Sequence, residues 1–160
     1  MYSIKTFYGF DSHVLLPGLP LIIGGVKIFY NYGLLGHSDS DILIHAIIDS
    51  ILNVSNFHNI GSAFPDKLKK YQGINSRIIL RKTERIIRDL GWRLLNLNAT
   101  ILIQKPKIEL YINEIINNVS LDLNISKKDI NLKFKTSEET GCVGREECIS
   151  VNLILSVFKI

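Results

Sequence analysis

Hydrophobic and polar positions change period along the chain, and each change marks an element. Residues 2–10 alternate apolar with polar, the period-two pattern of a half-buried strand, and run into Gly9-Phe10-Asp11-Ser12-His13. Two β-branched runs around Gly24-Gly25, within residues 21–28, predict a tight hairpin. From residue 42 to about residue 53 the period becomes helical, with Ile44, Ile47, Ile48, Ile51 and Leu52 as the buried stripe. Ser38 is the expected N-cap of that helix and Asp41 belongs to its first turn. Residues 58–73 form one long polar connection, a length that compact domains reserve for functional or mobile segments.

A second amphipathic helix is predicted from a cap at Asn75 or Ser76 to Gly91, with Ile78, Ile79, Ile86, Ile87 and Leu90 on its apolar side. Residues 94–104 read as a strand in which Leu95, Leu97, Ala99 and Ile101 alternate with Asn96, Asn98 and Thr100. Pro106 and Lys107 open a third helix carrying Leu110, Ile112, Ile115, Ile116 and Val119. Another strand spans residues 129–136, then a polar loop to residue 146. The run 148–158 is so continuously apolar that it belongs at the centre of a sheet. The order gives an α+β two-layer sandwich, a mixed β-sheet with helices on one face, in one domain over residues 1–160.

Composition narrows the classes. The chain has 160 residues, 46% hydrophobic and 21% charged, which suits a globular core and excludes disorder. No apolar run reaches the roughly 18 residues of a membrane span, and residues 14–23 are broken by Pro17, Gly18 and Pro20. No secretory signal is legible, so the expected location is cytoplasmic. Cys142 and Cys148 are too few for a disulfide framework and match no zinc motif, so they read as thiols. The net charge of +4 is scattered rather than gathered into a stripe, which favours small anionic ligands over nucleic acid.

Candidate chemistry sits in three places. Asp11 and His13 fall on one side of an extended segment, and His45 on the following helix would complete an Asp-His-His set. A catalytic zinc site needs three such ligands and an open fourth position. Glu138, in the last long loop, is a hard oxygen ligand of the kind magnesium takes beside phosphates, or a solvated carboxylate. Arg145 offers a phosphate clamp, or pairs with Glu146 or Glu147. Thr136 brings a hydroxyl to a strand end. These residues describe a metal-dependent enzyme acting on a phosphorylated small molecule, with a plain binding domain as the alternative.

The motifs Gly9-Phe10-Asp11-x-His13, Ile23-Gly24-Gly25-Val26, Leu34-Leu35-x-His37-Ser38-Asp39-x-Asp41-x-x-x-His45-Ala46, Ile60-Gly61-x-x-Phe64-Pro65-Asp66, Pro106-Lys107 and Gly144-Arg145-x-Glu147 follow in order. Together they resemble the 2-C-methyl-D-erythritol 2,4-cyclodiphosphate synthase family, over essentially the whole chain. The resemblance implies a homotrimer with active sites at subunit junctions. It implies a reaction that cyclises 4-diphosphocytidyl-2-C-methyl-D-erythritol 2-phosphate with release of CMP. Asp11, His13 and His45 would hold zinc, and Glu138 a magnesium or manganese ion on the substrate phosphates.

By the same resemblance His37 and Thr136 would be the catalytic pair that steadies the reacting phosphates, with Ser38 beside them. Asn59, Ile60, Gly61, Phe64, Pro65, Asp66, Lys67 and Leu68 would contact the sugar-derived parts. Ile103, Gln104, Lys105, Pro106, Lys107, Ile108 and Glu109 would shape the cytidine diphosphate pocket, together with Lys135, Ser137, Cys142 and Arg145. Neither nucleic acid nor membrane is an expected partner. Asn59, Leu68, Ser40, Lys135 and Cys142 depart from the family's usual residues, but no proposed metal ligand does. Set against this reading stand a metal-dependent phosphohydrolase, a nucleotide- or RNA-binding α+β domain, and a relative that keeps the fold without the activity.

Overall fold

The computed structural model describes residues 3–36, 38–55, 60–64 and 73–159. Strands β1 (Ser3–Pro17), β2 (Leu21–Ile23), β3 (Val26–Ile28) and β4 (Tyr32–Leu34) lead into helix α1 (Ile42–Leu52), the one-turn α2 (Ile60–Ala63) and helix α3 (Ser76–Asp89). Strand β5 (Trp92–Leu102), helix α4 (Ile112–Leu123), strand β6 (Ile130–Lys135), the one-turn α5 (Gly141–Gly144) and strand β7 (Cys148–Lys159) follow. The main sheet has the order β4-β1-β7-β5-β6, while β2 and β3 form the predicted hairpin. Among the described residues only β5 and β6 pair in parallel, and α4 lies in the crossover that a parallel pair requires.

The last apolar run is indeed the middle strand. Its odd positions Ile149, Val151, Leu153, Leu155 and Val157 are buried under the helices. The even positions Asn152, Ile154 and Ser156 face the other way and are half-buried or exposed, with no helix of the described residues over them. Helix α1 packs across β1 and β7 and is buried almost all round. Each of its fully buried isoleucines contributes about 1.5–3 kcal/mol relative to an exposed side chain. Among the described residues no helix is long and apolar enough to cross a membrane.

The Gly24-Gly25 turn has positive φ at both residues, +59° and +73°, which glycine adopts without a β-carbon clash. Its two N–H groups donate to the buried Asp41 carboxylate at 2.9 Å and 2.5 Å. Asp41 also accepts from Ile44 N at 3.1 Å and is the N-cap of α1. The predicted cap, Ser38, lies too far upstream, and its hydroxyl is engaged with His45 instead. Asp41 wins because one carboxylate can close the helix and the hairpin together.

Four further expectations change. Strand β1 runs beyond Phe10 to Pro17, because it pairs first with β7 and then with β4. Leu95 is exposed, because β5 shifts register between Leu94 and Asn96 and its inward phase restarts at Leu97. Ile78 of α3 and its C-cap Leu90 are exposed, and the buried face is Ile79, Leu80, Thr83 and Ile87. Thr83 tolerates burial by donating to Ile79 O at 3.0 Å. The third helix begins at Ile112 rather than Pro106; a 3-10 turn, Glu109–Tyr111, precedes it and leaves Leu110 exposed.

Candidate functional site

Strand alternation puts Gly9, Asp11 and His13 on the face of β1 that meets α1. A β-carbon at Gly9 would stand 2.7 Å from Ala46 O, so the missing side chain is what lets α1 lie so close. That approach carries His45 to Asp11. His13 Nε2 is 3.3 Å from Asp11 Oδ2, and His45 Nδ1 is 3.7 Å from the same oxygen. The two imidazoles meet edge to face, with ring centroids 5.3 Å apart. One ligand atom from each residue lies within 4.8 Å of the others, and all three residues are half-buried.

The donor set fits zinc. Bonds of about 2.0–2.1 Å in a tetrahedron give ligand-to-ligand edges of about 3.3 Å, close to the two contacts made by Asp11. His13 Nδ1 is buried and has no hydrogen-bond partner among the described residues. A two-histidine, one-carboxylate set with an open side is the composition of a catalytic rather than a structural zinc centre.

Ser38 and Ser76, which the sequence suggests as helix caps, surround His45 instead. Its Nε2 lies 3.0 Å from Ser38 Oγ and 3.0 Å from Ser76 Oγ. Ser76, fully buried at the start of α3, donates its hydroxyl to Asp39 Oδ1 and its N–H to Asp39 Oδ2 at 2.8 Å. Asp49, one turn beyond His45, accepts from Ile60 N at 2.6 Å and so ties α2 to α1. Burial pushes the Asp49 carboxyl up, the Ile60 N–H pulls it down, and the nearby Asp11 charge pushes it up again.

The second grouping lies at the far side of the sheet. Ile103, Gln104, Pro106, Lys107, Ile108, Glu109, Lys135 and Thr136 line a cavity of about 140 Å³, and Phe134, which the sequence did not suggest, completes its wall. Thr136 Oγ1 donates to Glu138 Oε1 at 2.8 Å. Ser137 and Thr140 bond each other across the loop, and Glu139 N donates to Gln104. Lys105 points out of the cavity to Glu146 Oε1 at 2.8 Å, and Tyr30 donates to the other oxygen of that carboxylate at 2.6 Å.

Arg145 takes the second of its two readings: it forms a bidentate pair with Glu147 at 2.8 Å and 2.9 Å. Cys142 is exposed, and its Sγ accepts from the buried Cys148 thiol at 2.9 Å. Glu138 is not part of the Asp11, His13 and His45 cluster. His37, Asn59, Pro65, Asp66, Lys67 and Leu68 lie outside the described residues, whereas Ile60 and Gly61 open α2 and Phe64 is buried against the core.

Register relates the two groupings. Ser12 pairs with Ser150, Ser150 with Leu102, and Leu102 with Lys135, so one row crosses β1, β7, β5 and β6. Asp11 and His13 flank one end of this row and Thr136 adjoins the other. Three strand spacings separate the ends, about 14 Å. The protein is thus an α+β sandwich with a carboxylate–imidazole cluster able to hold a metal ion and a small cavity of mixed lining at the same end of one sheet.

Sequence comparison makes this class specific. The YgbB family model matches residues 4–157, and the chain belongs to that family. It is 44% identical over 154 residues to the 2-C-methyl-D-erythritol 2,4-cyclodiphosphate synthase of Nitrosomonas europaea, covering 96% of this chain and 94% of that one. Among solved structures, the CDP complex of IspF from Plasmodium falciparum is similar with a TM-score of 0.85 and 33% identity, over 98% of this chain and 97% of that one. The bifunctional IspDF of Campylobacter jejuni matches all of this chain with a TM-score of 0.93 and 31% identity; the chain spans 43% of its length.

Proposed function

We propose that the protein converts 4-diphosphocytidyl-2-C-methyl-D-erythritol 2-phosphate into 2-C-methyl-D-erythritol 2,4-cyclodiphosphate and CMP. The observation that carries the reading is the Asp11, His13 and His45 cluster in a chain so similar to named synthases. An oxygen of the substrate's 2-phosphate attacks the β-phosphorus of its own diphosphate. One P–O bond forms, the bond from that phosphorus to the bridging oxygen breaks, and CMP leaves with the bridging oxygen. The second pKa of a phosphate is about 6, so the nucleophile is largely ionised at neutral pH and needs no protein base. What remains for the protein is to fold the substrate back on itself and to hold its charges in place.

Asp11, His13 and His45 would hold one zinc ion per subunit, and Glu138 a magnesium or manganese ion with the substrate phosphates. Bound there, the ions supply Lewis-acid stabilisation of the charge that grows on the phosphoryl oxygens. Thr136 accords with orienting a phosphate, its hydroxyl being bonded to Glu138 beside the cavity, and Ser38 does so from the approach to α1; His37 has the same role by the family resemblance. The walls formed by residues 103–109 and by Lys135 bind and orient the cytidine diphosphate. Asn59, Ile60, Gly61, Phe64, Pro65, Asp66, Lys67 and Leu68 contact the sugar-derived part.

We read the working unit as a homotrimer of single-domain chains, with each site shared between two copies. Two features support this. The uncovered sheet face displays Ile4, Tyr8, Phe10, Val14 and Ile154, all more than half exposed or nearly so, an apolar area that a partner would cover. The cavity also lies three strands from the metal cluster of its own chain. The free thiols accord with a cytoplasmic location.

Purified protein incubated with the substrate and a divalent ion is expected to release CMP and a cyclic diphosphate, detectable by phosphorus NMR. A linear phosphate product would make the protein a phosphohydrolase, and no turnover at full zinc occupancy would end the proposal. Size-exclusion with light scattering tests the trimer.

A further inference from the structure

His45 can meet a metal only with a ring nitrogen that carries no proton, and the side chains behind it decide which nitrogen that is. Nδ1 faces Asp11 Oδ2 at 3.7 Å, on the side of the metal cluster. Nε2 faces the hydroxyls of Ser76 and Ser38, each at 3.0 Å. A hydroxyl beside a neutral imidazole nitrogen can give or take a proton, so distance alone leaves two tautomers. Ser76 removes the choice. It has one hydroxyl proton, and that proton is donated to Asp39 Oδ1. Towards His45 it can present only a lone pair, so Nε2 must carry the hydrogen and Nδ1 the lone pair.

Asp39 is itself held in place to receive that proton. Its Oδ2 accepts from Ser76 N at 2.8 Å, and its Oδ1 also accepts from Asp41 N at 3.3 Å. Ser76 cannot rotate away, being fully buried at the first turn of α3 with its backbone bonded to the same carboxylate. The direction of the chain is therefore set from Asp39 outward: the carboxylate accepts from Ser76, Ser76 accepts from His45, and His45 offers its other nitrogen to the cluster.

We propose that Asp39 and Ser76 are positioning residues that lock His45 in its Nε2–H tautomer and aim Nδ1 at a metal bound by Asp11, His13 and His45. The proposal rests on the metal reading given above. Outer hydrogen bonds of this kind set both the tautomer and the orientation of a ligating imidazole, and their loss typically costs 10–100-fold in metal affinity.

Asp39→Asn separates this role from simple support. Asparagine keeps the shape and one acceptor, which the Ser76 N–H will occupy. Its amide then donates to Ser76 Oγ, so the Ser76 proton turns to His45 Nε2 and Nδ1 must take up the hydrogen. We expect about 10–100-fold weaker zinc binding, measured by competition with a chromophoric chelator. In metal-free protein, long-range ¹H–¹⁵N NMR is expected to show Nε2–H in the parent and Nδ1–H in Asp39→Asn. Ser76→Ala should weaken zinc binding similarly and leave both tautomers populated, since the Ser38 hydroxyl can give or take a proton at Nε2. An unchanged tautomer and a zinc affinity within twofold of the parent in Asp39→Asn overturn the proposal. A parent that takes up no zinc overturns the metal reading instead, and the tautomer in metal-free protein still decides whether Asp39 and Ser76 act as inferred.

Discussion

Gly9 on β1 lies directly beneath Ala46 on α1, where a β-carbon would stand 2.7 Å from the Ala46 carbonyl oxygen and 2.9 Å from a Leu153 methyl. This contact sets the height of α1 above the sheet, and His45 is the neighbour of Ala46. Gly9→Ala should lift the helix at the metal cluster. Overpacking of this kind costs about 1–3 kcal/mol. We expect that loss in urea denaturation, with zinc affinity reduced in the folded variant. An unchanged affinity would mean that α1 is seated by its isoleucines and not by the glycine.

Asp41 joins hairpin and helix. Burial pushes its carboxyl up to about 7, against the pull of the Gly25, Ile44 and Gly24 N–H groups, and the Asp39 charge pushes in the same direction as burial. Asp41→Ala would strand three N–H donors. An unsatisfied buried donor costs about 1–3 kcal/mol, and the desolvation that Asp41 now bears offsets part of the sum, so we expect a loss of about 2 kcal/mol or more. Chemical denaturation measures it, and a loss below about 0.5 kcal/mol would remove Asp41 as the anchor of the hairpin.

Tyr30 gives the pH dependence. Burial, the hydrogen bond to Glu146 and the charges of Glu146 and Tyr32 push its phenol from the ordinary 10 up to about 12. The folded state thus holds a proton that the unfolded chain has released. The associated stability is full below pH 10 and is lost as pH rises from about 10 through 12. Absorbance titration at a phenolate wavelength should show a late step that disappears in Tyr30→Phe. A late step that survives the substitution assigns it to another tyrosine.

The two thiols should differ in reactivity. Cys148 is buried, and burial together with its hydrogen bond to Cys142 raises its thiol above the ordinary range, although Ser12 and Ser150 pull it down. Cys142 is exposed. Iodoacetamide at mildly alkaline pH should label Cys142 first and Cys148 only on unfolding, as read by peptide mass spectrometry. Equal labelling rates in the folded protein would contradict this arrangement.

Much of the fold could be read from periodicity, because burial on one face leaves its mark on every second or every third to fourth residue. Strand β7, the Gly24-Gly25 hairpin and helix α1 belong to this class. The errors have local causes. Ser38 and Asp41 are both acceptable caps in sequence, and only the hairpin's N–H groups, brought in from residues 24 and 25, select Asp41. The register shift at Leu95 leaves no compositional trace. Ile78 and Leu90 fit a helical stripe, but α1 and α4 meet α3 on the neighbouring face.

The same limits apply at the site. Asp11 and His13 were visible because a two-residue spacing on a strand is a geometric statement. His45 enters as the histidine that would complete their ligand set, and the family motifs select that reading over a core histidine. Ser76 acts on His45 from 31 residues away, and Asp39 on Ser76 from 37 away, so no spacing rule reaches them. Arg145 could be read two ways until Glu147 was found beside it.

The long β1–β7 ladder runs without a shift from Ser3 and Lys159 to Val14 and Cys148. Two of the three metal-cluster donors are thus fastened to one stiff support, and only the third rides on a separate body. Any variation in the size of that cluster is a displacement of α1 as a unit. Metal affinity at the proposed site would therefore serve as a gauge of helix seating, registering through His45 any substitution that tilts α1, even one made far from the donors.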